Sequence, residues 1–322
     1  MNRVLLALSF ALPVAASAQT VTTYPIPVHA LYAHNAPVEI VEGSDGAMWF
    51  TEGYGAIGRI DANGALSEFL LDPASDPRGI ALGPDGNVWF TEGQSNLIGR
   101  ITAAGSITEY AVPTPAAAPT EIVAGPDGAL WFTEFNAGKI GRIDLSGSIV
   151  EYPLHDRLSG PLGIASGPGN ALSFTENTAN RIGRITLSGE VAEIDVPTVG
   201  SQPGGITVDG NGTVWFAEER GDKIAKLDAT GITEYSVKAL SNPLNVIATS
   251  DALYFTLYYG YAIGRLTADG SYSEIPLMKN SHPLGITRRH DGSIWFTEYS
   301  EDIIGTFDPA AEMAKRNRAA RH

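Results

Sequence analysis

Apolar residues in this chain fall in short runs of β-branched and aromatic side chains, and no stretch of the repeats sustains a helical period. Runs such as Val88-Trp89-Phe90 and Ile107-Thr108-Glu109-Tyr110 stop at Asp-Gly, Asn-Gly or Ser-Gly pairs, as at Asp85-Gly86, Asn63-Gly64 and Ser146-Gly147. Such pairs favour tight turns, so the pattern predicts many short strands joined by tight connections.

The strands recur in register. Trp-Phe occurs at Trp49, Trp89, Trp131, Trp215 and Trp295, with degenerate copies at Ser173-Phe174 and Tyr254-Phe255. The spacings are 40, 42, 42, 42, 39 and 41 residues, and every tryptophan of the chain sits at this position. Each copy carries Pro-x-x-Ile, a Gly/Asp turn, a strand ending Trp-Phe-Thr-Glu, then Ile-Gly-Arg-Ile and a last strand. Four strands per ~41 residues is the unit of a propeller blade. The predicted fold is therefore all-β, a seven-bladed β-propeller of four-stranded blades. The seventh repeat ends at Ile304-Gly305-Thr306-Phe307 without an outer strand, whereas Val21-Thr22-Thr23-Tyr24-Pro25 stands before the first repeat. The N-terminal strand is expected to close the last blade, leaving no exposed edge.

Composition narrows the chemistry. The chain has 36 glycines, 20 prolines and no cysteine, with 43% hydrophobic residues. The glycine and proline belong to turns of a globular chain, and the apolar content excludes disorder. Without thiols there is no disulfide, thiolate metal site or cysteine nucleophile. Neither a Gly-x-Ser-x-Gly elbow nor a phosphate-binding loop occurs. Residues 1–18 combine Arg3, an apolar run from Val4 to Ala16 and the small residues Ala16-Ser17-Ala18. They read as a signal peptide cleaved before Gln19, too short to span a bilayer, which places the mature protein in a periplasm or outside the cell. Residues 19–309 form the propeller and 310–322 a basic C-terminal tail. Of the net charge of −15, the segment 19–311 carries 16 basic and 35 acidic groups, a net −19. That body repels nucleic acid and suits cationic ligands, metal ions or solubility alone. The expected state is a monomer with no membrane span and no nucleic-acid partner.

The blade Gly83-Pro84-Asp85-Gly86 through Trp89-Phe90-Thr91-Glu92, followed by Ile98-Gly99-Arg100-Ile101 and Ile107-Thr108-Glu109-Tyr110, resembles the virginiamycin B lyase family over nearly the whole mature chain. The resemblance implies a seven-bladed propeller that opens the lactone of type B streptogramin antibiotics, and so confers resistance, by elimination assisted by Mg2+. It also implies histidines directly after the Pro-x-x-Ile proline in blades six and seven, with an acid before the seventh proline. This chain has Leu244 and Leu284 at the histidine positions and His282 at that of the acid.

Other residues are candidates for the channel lining. The third position of Pro-x-x-Ile, usually glycine, is Glu39, Glu121 and Asn245 in three repeats, and Arg78 lies between the glutamates in ring order. These four form either a charged site for a cation or polar ligand, or a wetted lining. His34 and His282, brought together by ring closure, are candidate metal ligands; the alternative is two surface histidines. His155 and His290 read as surface residues. The repeated Trp-Phe-Thr-Glu glutamates are expected to pair with backbone N–H groups or with the arginine of Ile-Gly-Arg. Tyr258, Tyr259 and Tyr261 either meet an apolar ligand or pack together. The leading functional expectation is a lyase opening a cyclic depsipeptide lactone, with a small-molecule or peptide ligand in the central channel. The alternatives are a non-catalytic binding propeller and a metal-dependent lactone hydrolase.

Overall fold

In each repeat the Trp-Phe strand is the second of four antiparallel strands, flanked on both sides by chain and therefore buried. The second repeat shows the pattern: Pro77–Leu82, Val88–Glu92, Leu97–Ile101 and Ile107–Ala111 pair in sequence order. The computed structural model describes residues 21–27 and 34–312 and contains seven such four-stranded sheets. The leader at 1–18 and the tail from 313 onward lie outside the described residues. Residues 309–312 form a single helical turn, begun by Asp308, whose carboxylate accepts the Ala310 N–H at 2.8 Å. Among the described residues no helix is long and apolar enough to cross a membrane.

Closure follows the expected path. Val21–Pro25 pairs antiparallel with Ile303–Phe307, from Val21 opposite Phe307 to Pro25 opposite Ile303. The last blade thus combines the N-terminal strand with three C-terminal ones. Tyr24 stacks on Trp295, with ring centroids 5.2 Å apart.

Side-chain geometry explains the repeat letter by letter. The glycine of Ile-Gly-Arg lies opposite the phenylalanine of the second strand, as Gly99 opposite Phe90. A Cβ on Gly99 would stand 2.1 Å from the Phe90 ring, so the position is glycine because an aromatic ring lies over it. Each tryptophan reaches the next blade: Trp89 packs with Ile122, Leu130 and Phe132, and Trp131 with Ile164, Leu172 and Phe174. The indole N–H is held by a turn aspartate in four of the five, as Trp89 by Asp85 at 3.0 Å and Trp131 by Asp127 at 3.1 Å, and by Ser293 at Trp295. The core is therefore a series of inter-blade layers around the ring, each filled by aromatic rings.

The inner strands are irregular in the same way. Every blade slips register between the proline and the isoleucine of Pro-x-x-Ile, a β-bulge seen at Pro77/Ile80 and its six counterparts. The bulge is held by the threonine of Trp-Phe-Thr-Glu, whose hydroxyl accepts the N–H of the residue two after the proline. Glu39 donates to Thr51 at 3.0 Å, Glu121 to Thr133 at 3.0 Å and Asn245 to Thr256 at 3.0 Å.

Candidate functional site

In every blade one or both of the two residues after the proline line a cavity of about 300 Å³ at one mouth of the channel. Glu39, Arg78, Glu121 and Asn245 all lie on its wall, with Val38, Leu162, Leu244 and Leu284 among the apolar neighbours. A cavity of this size suits a small ligand or one moiety of a larger one.

Glu39 is the centre of its polar network. The Asn245 side-chain amide donates to Glu39 across the channel, from the sixth blade to the first, and also reaches the Leu284 carbonyl at 3.3 Å. Desolvation, followed by repulsion from Glu121, pushes the Glu39 carboxyl well up. Desolvation also raises Glu121, and the Arg78 guanidinium partly offsets it. The pair thus favours retaining a proton near neutral pH. Arg78 itself makes its ion pair with Asp76 at 2.8 Å, not with either glutamate.

Three lining residues escaped the sequence reading: Asp76, Glu219 and Tyr299. Burial pushes Glu219 up to about 7. Glu219 and Tyr299 each follow a Trp-Phe-Thr-Glu-type glutamate, and Asp76 immediately precedes a Pro-x-x-Ile proline. The signal was present in the repeat phase, one residue outside the motifs.

The two candidate histidines face the same turn but have different partners. His34 Nδ1 lies 3.2 Å from Asp302 Oδ1, and its ring meets Tyr54 and Tyr299 edge-on. His282 Nδ1 lies 2.8 Å from Ser300 Oγ, with Tyr258, Tyr259 and Tyr261 around its ring at 4.6, 6.0 and 5.1 Å. The sixth-blade tyrosines therefore pack on a histidine. Among the described residues no group of three His, Asp or Glu side chains has the geometry to hold a metal. His155 and His290 sit at the surface against Glu193 and Glu42.

The expected pairing of the Trp-Phe-Thr-Glu glutamates with the Ile-Gly-Arg arginines is not what the structure contains. Arg59 binds Asp45 at 2.7 Å, Arg142 binds Asp127 at 2.6 Å and Arg265 binds Asp251 at 3.0 Å. The register is the reason. Arg59 stands opposite Trp49, at the end of the strand nearest the Gly/Asp turn, whereas Glu52 stands opposite Ala56 at the other end. Glu52, Glu92, Glu134, Glu176, Glu218 and Glu298 are all buried. Buried serines face three of them, Ser159 at Glu176, Ser201 at Glu218 and Ser281 at Glu298, and desolvation holds these carboxyls at about 7. The third blade has Ala117 at the serine position, and burial takes Glu134 to about 8.

Fold and cavity together define a closed seven-bladed propeller with a ligand-sized, acidic and leucine-lined mouth. The profile of the Virginiamycin B lyase family matches residues 14–251 and 205–319. The chain belongs to the virginiamycin B lyase family. It is 38% identical to the selenomethionine-substituted virginiamycin B lyase from Staphylococcus aureus, with TM-score 0.84 over 89% of this chain and 98% of that one. A streptogramin B lyase structure is 34% identical, with TM-score 0.84 over 89% and 97% of the two chains. A catalytically inactive histidine-to-alanine variant of the Staphylococcus aureus enzyme, solved with quinupristin, is 37% identical, with TM-score 0.83 over 89% and 99%. No curated protein sequence matches.

Proposed function

We propose that the protein is an exported propeller of the virginiamycin B lyase type that binds a cyclic peptide or lactone at the channel mouth without opening it. One observation carries this reading: Leu244 and Leu284, at the positions where the family resemblance expects histidines, line the mouth beside Glu39 and Asn245. Leucine neither moves a proton nor binds a metal. That a histidine-to-alanine change makes the Staphylococcus aureus relative catalytically inactive supports the same view. The donor set does not fit the Mg2+ that the resemblance implies. A hard cation wants several oxygen ligands, and the acid expected before the seventh proline is His282, boxed by tyrosines. The leader-like sequence at 1–18 supports a periplasmic or secreted location.

A second reading rests on the raised carboxyls. With its proton affinity lifted by burial and by its neighbour, the Glu39–Glu121 pair is suited to proton transfer near neutral pH. In this reading a carboxylate takes the proton from the carbon next to the ester-bearing carbon. A C=C bond forms, the C–O bond breaks, and the ring opens without water.

Quinupristin separates the readings. Purified protein is titrated with it for binding, then incubated with it and magnesium, and the products are resolved by chromatography and mass spectrometry. Saturable binding with no linear product above the no-enzyme control is expected. A linear product of unchanged mass would establish elimination and overturn the binding reading. A product heavier by one water would establish hydrolysis, and absence of binding would remove this ligand class.

A further inference from the structure

The fourth blade lacks its tryptophan, and the groove left behind has the features of a binding site. In five blades an indole bridges to the next blade, and in the sixth Tyr254 stands in its place; in the fourth the residue is Ser173. Two companions are lost with it. The turn aspartate that holds both indole and arginine in the first three blades, as Asp127 does for Trp131 and Arg142, is replaced within Gly167-Pro168-Gly169 by Gly169. The outer-strand aromatic that stacks on the indole, as Tyr152 does on Trp131 at 5.4 Å, is Ile194.

The arginine remains. Arg184 pairs across the ladder with Ser173, as Arg142 does with Trp131. It is exposed, and no ion pair engages it among the described residues. The neighbouring blade has not closed the gap. Val214, on the groove wall, and Ile206, in the same inter-blade layer, are only half-buried, whereas their third-blade counterparts Leu130 and Ile122 are 0% and 4% exposed. The groove between blades four and five measures about 370 Å³. Its apolar walls include Pro168, Ile182, Ile194 and Val214, with Ser173 and Arg184 on one side. Glu193 and Asp228 also line it, but are engaged by Arg181 and Lys226.

We propose that this groove binds a planar aromatic ring bearing a carboxylate, such as an indole acid or a C-terminal aromatic residue. The ring takes the volume that an indole fills in the sister blades. The carboxylate takes the place of the missing turn aspartate on Arg184. The ligand thereby restores the ring–guanidinium approach seen between Arg59 and Trp49 at 5.5 Å and between Arg100 and Trp89 at 5.4 Å. Shape and charge both follow from what the other blades place there, independently of the channel mouth.

Indole-3-acetate is the probe, with neutral indole as its uncharged partner, titrated into the full chain by NMR. Saturable binding of both is expected. Ser173→Trp should abolish it by filling the groove with the protein's own indole. Arg184→Gln should weaken indole-3-acetate by about tenfold or more, the scale of a lost charge-assisted hydrogen bond, and weaken indole less, because indole loses only the ring–guanidinium contact. The proposal is overturned by absence of saturable binding to the wild-type chain, by a folded Ser173→Trp chain that binds as wild type, or by equal loss of both probes in Arg184→Gln. Arg184 is exposed, so that variant decides the matter even if Ser173→Trp fails to fold.

Discussion

Thr297 donates its hydroxyl to the main-chain oxygen of Val38 at 2.8 Å, and this bond ties the seventh blade to the first. The same hydroxyl accepts the Gly285 N–H of its own blade at 2.8 Å, so one side chain holds a bulge and a blade junction together. Thr51, Thr91, Thr133, Thr175 and Thr256 do the same for the carbonyls of Arg78, Thr120, Leu162, Gly204 and Leu284. The fifth blade has Ala217 instead.

Replacing Thr297 by valine keeps the shape and strands the buried Gly285 N–H and the partly buried Val38 carbonyl. A loss of about 1–3 kcal/mol is expected, the cost of unsatisfied buried donors and acceptors. Ala217→Thr should work in the opposite direction by adding a bond to the Leu244 carbonyl, worth about 1 kcal/mol. Thermal and urea unfolding of the two variants should move to opposite sides of wild type.

The buried glutamates make stability fall as pH rises. In the folded protein Glu176, Glu218 and Glu298 keep their protons up to about 7 and Glu134 up to about 8, against 4.5 for an unperturbed carboxyl. Between these values the folded state binds more protons than the unfolded one, so the stability present at acid pH is lost as pH climbs through 7 and 8. The groups facing the glutamates do not reverse this. Glu151, Glu193 and Glu234 add repulsion at Glu134, Glu176 and Glu218, while Lys139, Arg181 and Lys223 offset part of it. At the acid end the turn carboxyls Asp45, Asp85 and Asp127 are held low by arginine, asparagine and indole partners, so protonating them costs stability. Maximal stability is expected near about pH 5. Glu134→Gln, which keeps the neutral shape, should flatten the fall on the alkaline side in a series of melting curves.

Removal of residues 21–27 should lower the melting temperature sharply. It strips the five-pair ladder from Ile303–Phe307, uncovers Trp295 by taking away Tyr24, and exposes an unpaired strand edge. Gel filtration should then show association through the open edge. A melting temperature and a monomer peak equal to those of the full chain would contradict the role given to this strand.

If the scaffold lacks only its proton-moving groups, returning them should return chemistry. The triple change Leu244→His, Leu284→His and His282→Glu rebuilds the set that the family resemblance implies, in a mouth that keeps Glu39 and Asn245. Linear quinupristin, formed in the presence of magnesium, should appear in the variant and be absent from wild type.

The architecture was legible because it is written seven times. Trp-Phe spacing gave blade number, the orphan strand at Val21 gave closure, and Pro-x-x-Ile gave the phase shared by Glu39, Arg78, Glu121 and Asn245. Phase was not enough for partners. Arg59 and Glu52 recur together in the first four repeats, yet they stand at opposite ends of paired strands, and only register separates them. Asp76, Glu219 and Tyr299 escaped notice because they sit in connections, where distance to the channel depends on how neighbouring blades lean together. Ser173 was visible as a degenerate copy. That it leaves a groove became clear only from the half-buried faces of Ile206 and Val214.

The closing ladder also sets how the ring answers to force. Val21 lies opposite Phe307, so the chain enters and leaves the ladder at the same end. A pull applied between the two chain ends therefore loads the Val21–Phe307 pair first and peels the strands apart one pair after another. It does not load all five pairs together in shear. The seventh blade is thus a mechanical clasp, whose peeling geometry should make it yield before the other six sheets.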